Sequence, residues 1–310
     1  MSTPATLTLP PVTVVVPTHR RPELLREAVQ SVVEQRYAGE IEVLVVFDAC
    51  EPELPDLVLP ARRRLRALTN DRTRGLAGAR NTGILAASHE LVAFLDDDDT
   101  WLADKLAPQV DLLQADPSLR LVGTAMRVDD GHATHVRLVP QSVVTHDDLV
   151  RDRLAGLHSS SFVFRRAALV DEIGLIDEDL PGAYGEDYDV LLTTAALGPI
   201  AVVNEPLVRV RWQGQSFFFG RWAQYAEALT YLLDKHDEIT RVPAAAARIS
   251  SQIAFAQAAA GQRAEARRTV ASVLRRQPTN LRAWLALLIS LRLASADRIG
   301  RVAQRFGKGI

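Results

Sequence analysis

The chain has 310 residues, enough for one large α/β domain with an appendage or for two domains. Hydrophobic residues make up 47% and charged residues 24%, a globular composition, and a formal charge of −2 gives no general pull toward nucleic acid or an anionic membrane. Cys50 is the only cysteine, which excludes an intrachain disulfide and a cysteine-based zinc site.

Met1 to Pro11 lacks a basic stretch followed by an apolar one, so no secretion signal is expected there. Val12 to Val16 is a β-branched run closed by Pro17, which predicts a buried first strand and a turn. Pro22 is placed to start a helix, in which Leu24-Leu25, Ala28-Val29 and Val32-Val33 make one apolar face. Gly39 closes it, and Ile41 to Phe47 is a second strand ending at Asp48. Strand, helix and strand, with each strand almost wholly apolar, predict a parallel sheet covered on both faces. The ends Thr18 to Arg21 and Asp48 to Glu51 should then lie side by side.

Leu65 to Leu68 reads as a short third strand among Arg62, Arg63, Arg64 and Arg66. The Gly- and Arg-rich run Arg72 to Gly83 leads into a helix and can present backbone N–H groups and guanidinium forks to a phosphate. Exposed arginines on a helix surface are the ordinary alternative, and the run has neither G-x-G-x-x-G spacing nor the lysine of a P-loop. Leu91 to Leu95 is a buried strand followed by Asp96-Asp97-Asp98-Asp99. Four carboxylates at the end of a strand repel one another. A divalent ion held through one or two of them together with substrate phosphates relieves that, and ligands bind at such strand ends in open α/β sheets. A solvated acidic loop is the other explanation.

After Thr100-Trp101 a helix is expected to about Ala115, then a strand from Leu119 to Met126 and, over the polar Asp129 to Gln141, a hairpin or an excursion. His132 and His135 there read as solvated rather than as ligands. His158-Ser159-Ser160-Ser161 precedes a strand at Phe162 to Phe164, with nothing to place a base beside a serine nucleophile. Glu186-Asp187 opens a helix over Tyr188 to Leu197, where carboxylates at a helix start are explained by capping alone. Ile200 to Val203 and Leu207 to Arg211 read as two last short strands, and Trp212 to Gly220 as an aromatic loop.

Beyond Arg221 the composition turns to Ala, Leu and Arg and the chain becomes helical. Two parts follow, 1–220 and 221–310. Ala256, Ala260-Gly261, Ala266 and Pro278 loosely match part of a tetratricopeptide helix pair, and these helices could pair two chains. Leu281 to Ala294 is the stretch nearest to a membrane span, but it is short and carries Arg282 and Arg292. The tail with Arg298, Arg301, Arg305 and Lys308 reads as a solvated basic face, with peripheral contact at the inner face of a membrane as the most it would do. A soluble, reducing, bacterial-type cytoplasm is the expected setting.

Several stretches together resemble the inverting glycosyltransferase family 2. They are Val14-Val15-Val16-Pro17-Thr18-His19-Arg20-Arg21, Ser31-Val32-Val33-Glu34-Gln35, Gly78-Ala79-Arg80-Asn81-Thr82-Gly83, Leu95-Asp96-Asp97-Asp98-Asp99-Thr100-Trp101 and Gly185-Glu186-Asp187-Tyr188-Asp189. They stand in the family's order and spacing, over Val12 to about Ser216. The resemblance implies a GT-A fold, a Rossmann-like α/β/α sandwich with a mostly parallel sheet, here with an all-α C-terminal extension. It also implies transfer of a sugar from a nucleotide-diphosphate sugar, of UDP or dTDP type, to a hydroxyl of a glycan, lipid-linked or small-molecule acceptor. By position, Pro17, Thr18, Arg20, Asp48, Arg80, Asp96 and Asp97 would bind the donor, with Arg80 on its diphosphate. Asp98, with Asp96, would hold Mg²⁺ or Mn²⁺. Asp187, beside Glu186, would be the general base.

Two departures bear on this. Phe47-Asp48-Ala49-Cys50 stands where the family usually has two acids and a serine, so Asp48 matches either acid. The family's histidine after the last strand falls on Trp212 or Gln213, so that ligand is expected to be missing. Two other functions fit parts of the pattern. A sugar-phosphate nucleotidyltransferase would need a Gly-rich loop after the first strand, where this chain has Pro17 to Arg21 without glycine. A non-catalytic sugar-nucleotide-binding scaffold would not need Asp96, Asp98 and Asp187 intact.

Overall fold

A computed structural model describes residues 9–212 and 221–299. The loop expected at Trp212 to Gly220 (beyond Trp212), Gln213 and the tail residues Arg301, Arg305 and Lys308 lie outside the described residues. The chain divides into two compact units, one made of Met1–Leu149, Arg153–Glu178 and Asp187–Gly214, the other of Val150–Asp152, Asp179–Glu186 and Gln215–Ile310.

The first unit is built on a sheet. β1 (Val12–Thr18) is buried at every residue, as a strand covered on both faces must be. α1 (Pro22–Val33) buries Leu25, Ala28, Val29, Val32 and Val33, the stripe its spacing predicts, with Pro22 in its first turn. β2 (Ile41–Phe47) returns parallel to β1, and β3 (Arg63–Thr69) pairs parallel to β2 at the sheet edge. Arg64 and Arg66 of that edge strand pair with Glu40 and Glu42, a charged finish that discourages pairing with a further chain.

α2 (Leu76–Ala86) crosses back to β4 (Leu91–Phe94), which pairs parallel to β1 on its other side. The helix lies close on the sheet because of a glycine: a Cβ on Gly83 would stand 2.3 Å from Val15 Cγ1. Gly83→Ala should therefore destabilise the fold by about 1–3 kcal/mol through overpacking, read as a lower urea midpoint, and adding Val15→Ala should restore part of it.

β5 (Thr100–Trp101) and α3 (Leu106–Ala115) follow. The helix expected after Thr100-Trp101 starts at Leu106, and Thr100 and Trp101 themselves pair antiparallel with the last strand. β6 (Leu121–Asp129) and β7 (Thr134–Arg137) form an antiparallel hairpin, so of the two readings of the polar stretch the hairpin holds, with its first arm in β6. β8 (Val143–Val144), α4 (His146–Arg151) and β9 (Val163–Arg165) lead to α5 (Glu186–Leu197) and β10 (Ile200–Arg211). The two short strands expected in this last segment are one. Pro206 interrupts the run, but register shifts around it keep β10 parallel to β6 along its length.

Among the described residues the sheet order is β3-β2-β1-β4-β9-β6-β10-β5, with β7 on β6 and β8 on β10. The long ladders are parallel; β9 joins the two parallel sets by pairing antiparallel to β4 and β6.

The second unit contains α6 (Trp222–Lys235), α7 (Asp237–Arg241), α8 (Pro243–Ala259), α9 (Arg263–Arg276) and α10 (Leu281–Ser290). Ala254, Phe255, Ala258, Ala266, Val270, Ala286 and Ile289 make its core, and small alanines let α8, α9 and α10 approach one another. Asn280 caps α10, accepting from the Ala283 N–H.

Candidate active site

β2 and β3 continue to one side of β1 and β4 lies on the other, so the strand order reverses between β1 and β4. Both strands run the same way, and in open α/β sheets ligands bind beyond the carboxyl ends of the strands at such a switch point. The segments that follow them, Thr18 to Arg21 and Asp96 to Asp99, meet there. The Thr18 hydroxyl donates to Asp97 Oδ2 at 2.7 Å. Arg21 Nη1 donates to Asp97 Oδ1 at 3.1 Å and Asp98 Oδ2 at 2.8 Å. Pro17 lies within β1 opposite Val46. Arg20 is exposed with a left-handed φ of 55°, and the turn it makes brings Arg21 to the acids.

Each aspartate has its own setting. Arg80, on α2 and 1% exposed, donates to Asp96 Oδ1 at 2.6 Å and to Ser159 Oγ at 3.0 Å, and Ser159 donates to Asp96 Oδ2 at 3.1 Å. Burial works to raise the Asp96 pKa, but Arg80 and these hydrogen bonds outweigh it and hold it below the usual carboxylate range. Asp97 is buried and pushed upward by that burial. Asp98 is pushed upward by burial and by its neighbours Asp96 and Asp97, yet its side chain keeps 36% exposure, so a ligand can reach it. Asp99 is buried, accepts from Ser160 Oγ at 2.6 Å and from the Arg211 N–H at 3.1 Å, and is pushed well upward by burial and the other acids. Arg21 and Arg80 are too few to balance four carboxylates.

The turn Ser159–Ser161 comes from a distant part of the chain and gains its meaning only here. Ser160 receives the Asp96 N–H at 3.1 Å, and its carbonyl accepts Trp101 Nε1 at 2.7 Å, so the serines brace the acidic turn. His158 precedes them. Its Nδ1 accepts from the Ser160 N–H at 3.3 Å and stands 3.4 Å from Asp99 Oδ2. Burial holds this imidazole below its usual pKa although Asp96 and Asp187 both pull it upward. Arg153, the ion-pair partner of Asp187, donates to the Leu157 carbonyl beside His158 at 3.5 Å.

Asp187 and Glu186 are buried at the start of α5. Asp187 forms an ion pair through Oδ2 with Arg153, and its Oδ1 accepts the Tyr188 N–H at 2.7 Å. Asp48 lies beside Thr18, whose carbonyl accepts the Asp48 N–H at 2.9 Å. Its carboxylate accepts Asn70 Nδ2 at 2.7 Å and the Gly75 N–H at 3.1 Å, so it fastens the loop before α2.

Glu178 fastens the same loop from another side. It accepts Asn81 Nδ2 at 2.7 Å, Arg72 Nε at 2.5 Å and the Thr73 N–H at 3.3 Å. Burial opposes its ionisation, but these donors pull its pKa down to about 2 from 4.5. Because the folded value lies below the unfolded one, this stabilisation is present above about pH 4.5 and is lost as pH falls toward 2. The gap in urea midpoint between wild type and Glu178→Gln should accordingly be widest near neutrality and close at low pH.

Asp96, Asp99 and His158 each offer a ligand atom, and these atoms lie within 4.8 Å of one another. Two carboxylates and one imidazole fit a hard or borderline divalent cation, while Asp98, paired with Arg21, is not gathered into that group. The imidazole comes from before the serine turn rather than from Trp212, whose ring stacks under Arg137 with 5.1 Å from guanidinium carbon to ring centre. Arg21, Arg153, His158 and the serines carry no spacing signal toward the acids. The polarity of His158 and the three serines after it is visible in sequence, but their partners are not.

The sequence model described as Glycosyl transferase family 2 matches residues 13–171. The chain is 27% identical over 194 residues to UDP-Glc:alpha-D-GlcNAc-diphosphoundecaprenol beta-1,3-glucosyltransferase WfgD of Escherichia coli, covering 62% of this chain and 73% of that one. It superposes on S. aureus TarS residues 1–349 in complex with UDP-GlcNAc with a TM-score of 0.60 and 17% identity, covering 96% of this chain and 92% of that one. It superposes on the mannosyltransferase PcManGT from Pyrobaculum calidifontis, in complex with GDP-Man and Mn²⁺, with a TM-score of 0.53 and 21% identity, covering 97% and 85%.

Proposed function

Since the chain belongs to glycosyl transferase family 2, carries the GT-A fold and is a glycosyltransferase, we propose that it transfers a sugar, with inversion, from a UDP- or dTDP-type donor to an acceptor hydroxyl. The observation that carries this reading is the acidic turn after β4, held at the switch point with Arg80 behind it, and Asp187 paired with Arg153, which reaches the Leu157 carbonyl next to His158. WfgD, by its name, uses UDP-glucose and a diphosphoundecaprenol-linked acceptor. A glycan or lipid-linked acceptor is the corresponding reading here, with a small metabolite as the other.

Inversion by single displacement makes two demands on the chain. The attacking hydroxyl must lose its proton, which a carboxylate in hydrogen-bond reach can accept. Asp187 takes that role; Arg153 and the Tyr188 N–H hold its carboxylate in one orientation, and Glu186 precedes it. The departing diphosphate gains negative charge, which Arg80 and Arg21 offset. Asp98 and Asp96 are the proposed ligands of Mg²⁺ or Mn²⁺, and Asp99 and His158 offer ligand atoms within 4.8 Å of that of Asp96. When bound, that cation supplies positive charge to the diphosphate. Pro17, Thr18, Arg20, Asp48 and Asp97 are the proposed donor-binding residues.

A panel of nucleotide sugars offered with Mn²⁺ tests this. Consumption of a UDP- or dTDP-sugar with release of nucleoside diphosphate is the expected outcome. Release of pyrophosphate from nucleotide and sugar phosphate would mark a nucleotidyltransferase, and binding without turnover of any donor would mark a scaffold.

A further inference from the structure

α10 turns two different faces outward and inward. Ala283, Ala286, Ile289 and Ser290 are buried. Leu281 is 71% exposed, Trp284 45% and Leu288 39%, and they recur at spacings of three and four, one stripe of the helix. Leu291 and Leu293 continue the exposed apolar surface beyond its end. Trp284 donates its indole N–H to the Pro278 carbonyl at 2.7 Å, which fixes the ring while leaving it open to solvent.

The sequence around this stripe is strongly basic. From Arg263 to the end, eleven Lys and Arg stand against two acids, Glu265 and Asp297, a net +9 within a chain whose total is −2. Arg267, Arg268, Arg275, Arg276, Arg292 and Arg298 are exposed. The rest of the chain therefore carries −11, so an anionic surface attracts this segment and repels the remainder.

We propose that the exposed face of α10 and the basic sequence around it dock on an anionic lipid bilayer, with Leu281, Trp284 and Leu288 entering the headgroup region. Leucine and tryptophan beside arginines are the chemistry of an interfacial helix, apolar side chains inserting while cations meet phosphates. No helix among the described residues is long and apolar enough to cross a membrane, so the contact is peripheral. A second copy of the chain is a poorer occupant. A two-fold pairing would set each basic segment against its own kind. Nucleic acid would satisfy the charge and leave the leucines and Trp284 in water.

Sedimentation of the full chain with vesicles, without donor or metal, tests the proposal separately from sugar transfer. The chain should pellet with vesicles containing phosphatidylglycerol, stay in solution with phosphatidylcholine alone, and be released by high salt. Leu281→Glu with Trp284→Glu should weaken that binding at least about tenfold while circular dichroism stays unchanged. Replacing Arg298, Arg301, Arg305 and Lys308 by Gln should weaken it as well. Failure to pellet with phosphatidylglycerol would overturn the proposal, as would equal binding to both lipids. So would unchanged binding by the double Glu variant, above all if light scattering showed that variant turning a dimer into a monomer.

Discussion

Asp187→Asn is expected to lower the rate of sugar transfer by about 10²–10⁴, the range that positioned proton transfer supplies, while the affinity for the nucleotide stays within about twofold of wild type. The amide keeps the size of the carboxylate and can still accept from the Tyr188 N–H, so the start of α5 retains its local hydrogen bond. What it cannot do is take the proton of the attacking hydroxyl. The ion pair with Arg153 is also lost, and Arg153→Gln separates the two effects. A positioning role for Arg153 predicts a loss smaller than that of Asp187→Asn, with the shape of the rate against pH unchanged. Single-turnover rates and calorimetric nucleotide affinities check both variants, and full turnover by Asp187→Asn would remove Asp187 as the base.

Arg80→Met should cost about 3 kcal/mol of stability, the lower end for breaking a buried pair because Asp96 keeps 21% of its side chain exposed. The guanidinium is 1% exposed and pairs directly with Asp96; without it, the four carboxylates at one strand end lose one of the two arginines that pair with them among the described residues. Adding Asp96→Asn should recover more than half of the loss, since the uncompensated charge is then gone. The pair of variants is read by urea denaturation near neutral pH. An Arg80→Met protein as stable as wild type would mean that the acidic turn does not depend on that arginine.

β1 and β2 were legible because strands buried on both faces are written as unbroken apolar runs, and α1 because its stripe repeats every three to four residues. β10 was not, because the exposed Asn204 and Glu205 together with Pro206 resemble a loop, and only pairing with β6 carries the strand through them. β5 is two residues long, too short for any period, and exists because β10 is beside it. At the site, Asp96 to Asp99 announced themselves since crowded acids at a strand end need a reason. Arg21, Arg153, His158, Ser159 and Ser160 did not. Each is an ordinary polar residue in its own stretch, and its role comes from packing between segments tens of residues apart.

Calorimetric titration of wild type and Asp98→Ala with UDP and dTDP, in Mn²⁺ and again in EDTA, asks most directly whether the acidic turn receives a cation together with a diphosphate. Wild type should bind one of the nucleotides at least about tenfold more tightly with Mn²⁺ than with EDTA, and Asp98→Ala should bind weakly in both. Equal affinity of wild type with and without the metal, or a metal effect that survives in Asp98→Ala, would contradict that assignment.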